Sequence, residues 1–184
     1  MKSIITAFIL TISFAATAAA NGDEPKLYLQ LDGGTAQFAN NVIDGQRVGF
    51  DEGWSANARI GSDAGRLGLE LEAGLHSAPY TPVNNSPSPV FVLTLGLNIL
   101  LKIVDLPGFD VYGALGGGIL YNEDTPEIVQ AHFHAEAGAI LGPDGYLQLV
   151  PHVRSIAYSG ASYPFLEETQ YISTARLGLR IPVD

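Results

Sequence analysis

The chain has 184 residues, a formal charge of −10 and no cysteine. That length suits one domain with a sizeable core. The acidic balance argues against nucleic acid as a partner, because phosphates need clustered Lys and Arg, and the missing thiols exclude disulfide staples and cysteine-ligated metal. A hydrophobic share of 47 % beside 15 % charged residues fits a chain whose apolar side chains face lipid while its acids crowd the loops.

Met1-Lys2 leads into an apolar run from Ile4 to Phe14 and then the small residues Ala15 to Ala20. A charged start, a short apolar centre and an A-x-A site are the parts of a secretory signal, so cleavage after Ala20 is expected, leaving 21–184 as a single barrel domain. The run is shorter than the roughly 20 apolar residues of a membrane helix. The next longest candidate, Pro89 to Val104, is broken by Thr94, Asn98 and Lys102.

Beyond residue 20 the dominant signal is alternation with period 2, which puts successive side chains on opposite faces of a strand. Lys26 to Ala36 sets Leu27, Leu29 and Leu31 against Tyr28, Gln30 and Asp32. Trp54 to Gly61 sets Trp54, Ala56, Ala58 and Ile60 against Ser55, Asn57 and Arg59. Arg66 to His76 is the clearest, with Leu67, Leu69, Leu71, Ala73 and Leu75 opposite Gly68, Glu70, Glu72, Gly74 and His76. Val90 to Ile103 follows, then the glycine-rich Phe109 to Tyr121, whose facing is open. Gln130 to Leu141 opposes Ala131, Phe133, Ala135, Ala137 and Ala139 to His132, His134, Glu136 and Gly138. Tyr146 to Tyr158 and Thr169 to Ile181 complete eight segments.

The connections alternate between short turns (Gly61 to Arg66, Val104 to Gly108, Gly142 to Gly145) and longer loops (Gln37 to Gly53, Ser77 to Pro89, Asn122 to Val129, Ser159 to Glu168). Short turns at one end and long loops at the other predict a closed antiparallel up-and-down transmembrane β-barrel of eight strands. Leu67, Leu69, Leu71, Leu93, Leu95, Leu177 and Leu179 should face outward. If Pro143-Asp144-Gly145 is a three-residue turn with Gly145 at positive φ, Glu136 lies opposite His152 and His134 opposite Arg154.

The inward parity gathers Asp32, Arg59, Glu70, Glu72, His76, His132, His134, Glu136, His152, Arg154, Arg176 and Arg180. An eight-stranded barrel is just wide enough for side chains to fill, and buried charges must be paired. The expectation is an interior plug of ion pairs and hydrogen bonds. The run His132-x-His134-x-Glu136, with His152 beside it, has the residue types to hold zinc, but Arg154 nearby weighs against a cation. The expected network therefore carries neither metal nor cofactor. The long loops hold Asp44, Asp51, Glu52, Glu123, Asp124, Glu127, Glu167 and Glu168 against Arg47 alone. Such loops are solvated, or meet divalent cations or a cationic partner.

Asp110 to Gly118 and the closing Thr174 to Arg180 resemble strands of the OmpA-like and opacity-type outer-membrane proteins, although Ile181-Pro182-Val183-Asp184 lacks their terminal aromatic. Arg154-Ser155-Ile156-Ala157-Tyr158-Ser159-Gly160, with Pro89-Val90-Phe91-Val92 and Arg180-Ile181-Pro182-Val183, resembles the lipid A 3-O-deacylase family. That resemblance implies an eight-stranded barrel with a serine hydrolase site on its lipid-facing surface. Ser159 matches the nucleophile and Glu167 or Glu168, across a gap, the acid; the histidine position holds Ala157 and the following asparagine position Gly160. A serine without a base is a poor nucleophile. The expectation is a non-enzymatic barrel that contacts outer-membrane lipid and lipopolysaccharide and serves envelope integrity or surface contact. The alternative is a deacylase-like acyl-ester hydrolase or its inactive relative.

Overall fold

The computed structural model describes residues 25–39, 41–43, 46–80, 88–122, 129–159 and 169–183. Eight strands close into an antiparallel barrel: β1 (Lys26–Phe38), β4 (Gly53–Ala64), β5 (Leu67–Tyr80), β6 (Ser88–Leu106), β7 (Phe109–Asn122), β8 (Val129–Leu141), β9 (Gln148–Ser159) and β10 (Thr169–Val183). Each pairs with its neighbours in the chain, and β1 closes against β10. A short hairpin, β2 (Asn41–Ile43) with β3 (Gln46–Val48), stands in the first long connection and has no counterpart in the sequence reading. Among the described residues there is no helix that could cross a membrane.

Partner residues can be followed once round the wall, from Gln37 through Ser173, Ser155, Ala135, Leu115, Ile99, Leu69 and Ser62. The path returns to β1 at Leu27, ten residues from where it left. This stagger tilts the strands about the barrel axis and fixes a bore that side chains fill. The short turns, around Gly65, Gly108 and Gly145 (φ 59°, 77° and 77°), lie at one end with both ends of the barrel sequence. A left-handed backbone there favours glycine.

The turn between β8 and β9 departs from expectation. Gly145 has positive φ, but Gly142 does too, at 126°. The closing bond runs from the Tyr146 amide to the Pro143 carbonyl (3.3 Å), so the connection covers residues 142–147 and β9 starts at Gln148 rather than Tyr146. The longer turn slides the pairing by two residues. Glu136 faces Arg154, Gly138 faces His152, and His134 faces Ile156. A slip of two keeps every side chain on its face, whereas a slip of one would have inverted them.

Alternation sorts the wall into two surfaces. Leu31, Ile60, Leu71, Ile99, Leu115, Phe133, Val153 and Leu177 are among the large apolar residues left exposed outside, while nearly all charged side chains of the strands are buried inside. A wall this apolar exceeds what a soluble monomer presents to water, and with a polar lumen it is the arrangement of a lipid-embedded barrel. Six of the seven leucines expected outward are exposed; Leu69 is only 6 % exposed. It keeps the outward parity but lies between Leu67 and Leu71 along β5 and opposite Ile99 on β6, side chains of its own size that flank it. The open question of β7 is answered by burial: Asp110, Tyr112, Ala114 and Leu120 face in, Leu115 and Ile119 out.

The lumen is layered. Towards the long-loop end it is apolar, packed by Ala36, Phe38, Ala78, Val90, Val92, Leu120, Ile156 and Ile172, with Phe50 stacked on Phe38 at 5.5 Å. Towards the turn end a smaller cluster holds Leu100, Tyr112, Ala114, Ile140 and Val150. The arginines and glutamates lie between these clusters, with Lys102, Asp63 and Asp110 at the turn end.

Candidate functional site

The site that the fold assembles is this buried ionic network. Arg59, on β4, is its hub. Its two terminal nitrogens donate to the Glu136 carboxylate at 2.8 Å each, Nη1 also reaches Glu70 at 3.1 Å, and Nε lies 3.2 Å from Asp32. Arg154 bridges a second pair of acids: its Nε donates to Glu136 at 2.7 Å and its fork clasps Glu72, with Nη2 at 2.6 Å. Arg176 holds Asp32 at 3.1 Å. Arg180 reaches Asp63 at 3.0 Å and Glu70 at 3.4 Å and lies 3.7 Å over the Tyr28 ring, a cation–π contact. Four arginines thus meet five carboxylates, Asp32, Asp63, Glu70, Glu72 and Glu136, and each guanidinium has at least one acid partner. Bidentate Arg–carboxylate geometry suits this because the planar fork is matched on both arms.

Neutral side chains complete the valences. The hydroxyls of Tyr28 and Tyr112 donate to Glu70 (2.8 Å) and Glu136 (2.7 Å), and the Asn98 amide donates to Glu70 and Glu72 at 2.9 and 3.1 Å. Arg59 Nη2 lies 3.0 Å from His152 Nε2. An arginine can only donate, so that nitrogen carries the lone pair and Nδ1–H donates to the Val150 carbonyl at 3.1 Å. At the turn end Lys102 joins Asp63 and Asp110, at 3.4 and 3.0 Å.

All ten network residues read from the sequence (Asp32, Arg59, Glu70, Glu72, His132, His134, Glu136, His152, Arg154 and Arg176) are buried in this lumen. Tyr28, Asn98 and Tyr112 were missed as members. Tyr28 and Asn98 share parity with Asp32 and Thr94, which was the available signal; Tyr112 had none, because glycines blur the alternation of β7.

The residues singled out by resemblance are only partly described. Ser159 is the last residue of β9, its backbone opposite Thr169, and Ala157 is half-buried opposite Phe133 and Tyr171. Glu167 and Glu168 lie outside the described residues, as do Asp44, Glu123, Asp124 and Glu127 of the acidic loops; Asp51 and Glu52 are described and exposed. The chain has four histidines, and His76, His132, His134 and His152 are all buried in the lumen. None stands on the outer face to serve Ser159.

No protein-family model matches the chain, and no characterised protein matches it in sequence. Solved structures do match. Neisserial surface protein A superposes with a TM-score of 0.65 at 10 % identity, covering 84 % of this chain and 96 % of that one. The outer membrane protein OprG from Pseudomonas aeruginosa gives 0.53 at 14 % identity, covering 84 % and 95 %. At these identities the likeness is one of fold, and the chain has the fold of the small eight-stranded outer-membrane barrels.

Proposed function

We propose that this protein is exported by cleavage after Ala20 and resides in a bacterial outer membrane as a non-enzymatic barrel. In this reading it supports envelope integrity through its lipid contacts and offers acidic loops to the surroundings. The observation that carries the reading is the filled lumen: among the described residues, an ionic network and two apolar clusters occupy the bore. The apolar outer wall fits lipid and lipopolysaccharide as its surroundings, and the fold shared with outer-membrane proteins is consistent with that address.

Ester hydrolysis is the rival reading, resting on Ser159. It needs a group to take the hydroxyl proton as the carbonyl is attacked, and every imidazole of the chain is inside the barrel. Loss of a triad base costs on the order of 10⁴- to 10⁶-fold in rate. The protein should sediment with outer membranes, pass no measurable current in planar bilayers, and leave lipid A acylation unchanged in mass spectra from expressing cells. Deacylation abolished by Ser159→Ala would refute the non-enzymatic reading, and steady conductance would refute the plug.

A further inference from the structure

We infer that the lumen carries a binding site for one divalent transition-metal ion of the zinc class, formed by His132, His134 and Glu72. The spacing His132-x-His134-x-Glu136 suggests a site along one strand, but Glu136 is not among the residues whose ligand atoms converge. The acid that meets the imidazoles comes from β5 instead. One ligand atom each of Glu72, His132 and His134 lies within 4.8 Å of the others, and all three residues are buried.

The imidazoles are left with free nitrogens. His132 is 1 % exposed, and its ring nitrogens have no side-chain hydrogen-bond partner among the described residues, the backbone of Ile119 being the polar group within reach; His134 Nδ1 has no partner. A buried polar atom without a partner is costly and calls for one. The state of His134 follows from its neighbours. Asn98 Nδ2 donates to Glu70 and Glu72, which fixes the amide with Oδ1 towards His134 Nε2. That oxygen can only accept, so Nε2 carries the proton and Nδ1, which has no partner, keeps a free lone pair. A ligating histidine held by an acceptor on its other nitrogen is the usual outer-shell arrangement of metal sites.

Space is kept for both rings. They stack with centroids 5.3 Å apart, over Gly118 and Gly116, their cross-strand partners on β7. A Cβ at Gly116 would collide with His134 Nε2 and Asn98 Oδ1, and one at Gly96 would meet His132 Nε2 at 3.4 Å. Arg154 clasps Glu72 through both carboxylate oxygens and also reaches Glu136, so an ion would share Glu72 with that guanidinium through the carboxylate's remaining lone pairs. Two imidazoles and one carboxylate suit zinc, with a fourth position open to water.

The test is to refold the full chain from urea into detergent with cobalt(II) or zinc(II) present, remove free metal, and measure bound metal and the visible cobalt spectrum. Wild type should retain about one ion per chain with tetrahedral cobalt bands, and His132→Gln or His134→Gln, if folded by gel mobility without boiling, should lose it at least tenfold. His76→Gln should retain it. No metal in folded wild type, or equal retention by the two site variants, overturns the inference. Should neither variant fold, ¹⁵N-histidine spectra of wild type refolded with and without zinc decide the matter: the changes must fall on His132 and His134, and changes confined to His76 and His152 refute it.

Discussion

Replacing Glu136 by alanine tests the ionic layer at its most connected acid. Its carboxylate accepts two bonds from Arg59 at 2.8 Å, one from Arg154 at 2.7 Å and one from Tyr112 at 2.7 Å, with no exposure of the side chain to solvent. Alanine leaves Arg59 and Arg154 short of a counter-ion they share, in a bore packed with buried side chains. Breaking a buried pair from one side costs about 3–5 kcal/mol, because the surviving charge stays desolvated. Arg59 keeps Glu70 and Asp32, and Arg154 keeps Glu72, which places the expected loss near the lower end. Equilibrium unfolding in urea, with the protein in lipid vesicles, reads this directly. At a slope of roughly 2 kcal/mol per molar urea, a loss of about 3 kcal/mol moves the midpoint by about 1.5 M. Glu136→Gln preserves the Tyr112 bond and most of the volume, and should fall between alanine and wild type. A midpoint for Glu136→Ala within about 0.3 M of wild type, with unchanged slope, would refute a closed network centred on this residue.

Two further outcomes are expected. Gly118→Ala should destabilise by about 1–3 kcal/mol through overpacking, since its Cβ would press on the Leu95 carbonyl and the Gly96 backbone, whereas Gly33→Ala, whose Cβ meets only the Ser55 carbonyl at 3.7 Å, should be nearly neutral; equal midpoints for the two would count against the packing of β6 on β7. At the turn end the hydrogen bond from Lys26 Nζ at 2.8 Å lowers the Asp144 carboxyl below its ordinary value. A lowered folded value means stability present above the unfolded value and lost as pH falls through the folded one. Because the pair is exposed, Lys26→Met should cost under about 1 kcal/mol at neutral pH and nothing at low pH or high salt; a larger or salt-insensitive loss would contradict it.

The barrel was legible because two periodic signals agree: alternation within segments and the short–long rhythm between them. Leu67, Leu71, Leu95 and Leu177 stand outside where their parity puts them, and the same parity filled the lumen with the right charges. The partners of those charges were not legible. Pairing across a turn depends on its backbone, and a second positive-φ glycine at 142 lengthened the connection enough to set Glu136 against Arg154 instead of His152. Contacts across the bore were further out of reach. Arg59 meets Glu136 over 77 residues of sequence and Arg180 meets Glu70 over 110, distances that only the closure and stagger of the barrel bring to zero.

The same geometry explains why a strand motif misleads about metal. Along β8, His132, His134 and Glu136 share a face but stand about 6.5 to 7 Å apart at successive inward positions, from the rise of a strand, too far for three rigid donors to converge unaided. In a narrow bore the third donor comes more readily from the opposite wall, and here the carboxylate within reach of both imidazoles is Glu72 of β5, which Arg154 links to Glu136. The glycines of β7 belong to the same logic. Read alone, Gly116-Gly117-Gly118 is a loss of pattern that leaves the facing of a strand undecided. Paired with His134, Phe133 and His132 in turn, it is a run of small residues alternating under two buried imidazoles and one lipid-facing ring. The composition of one strand is thus set by the bulk of its neighbour, a constraint that register alone makes visible.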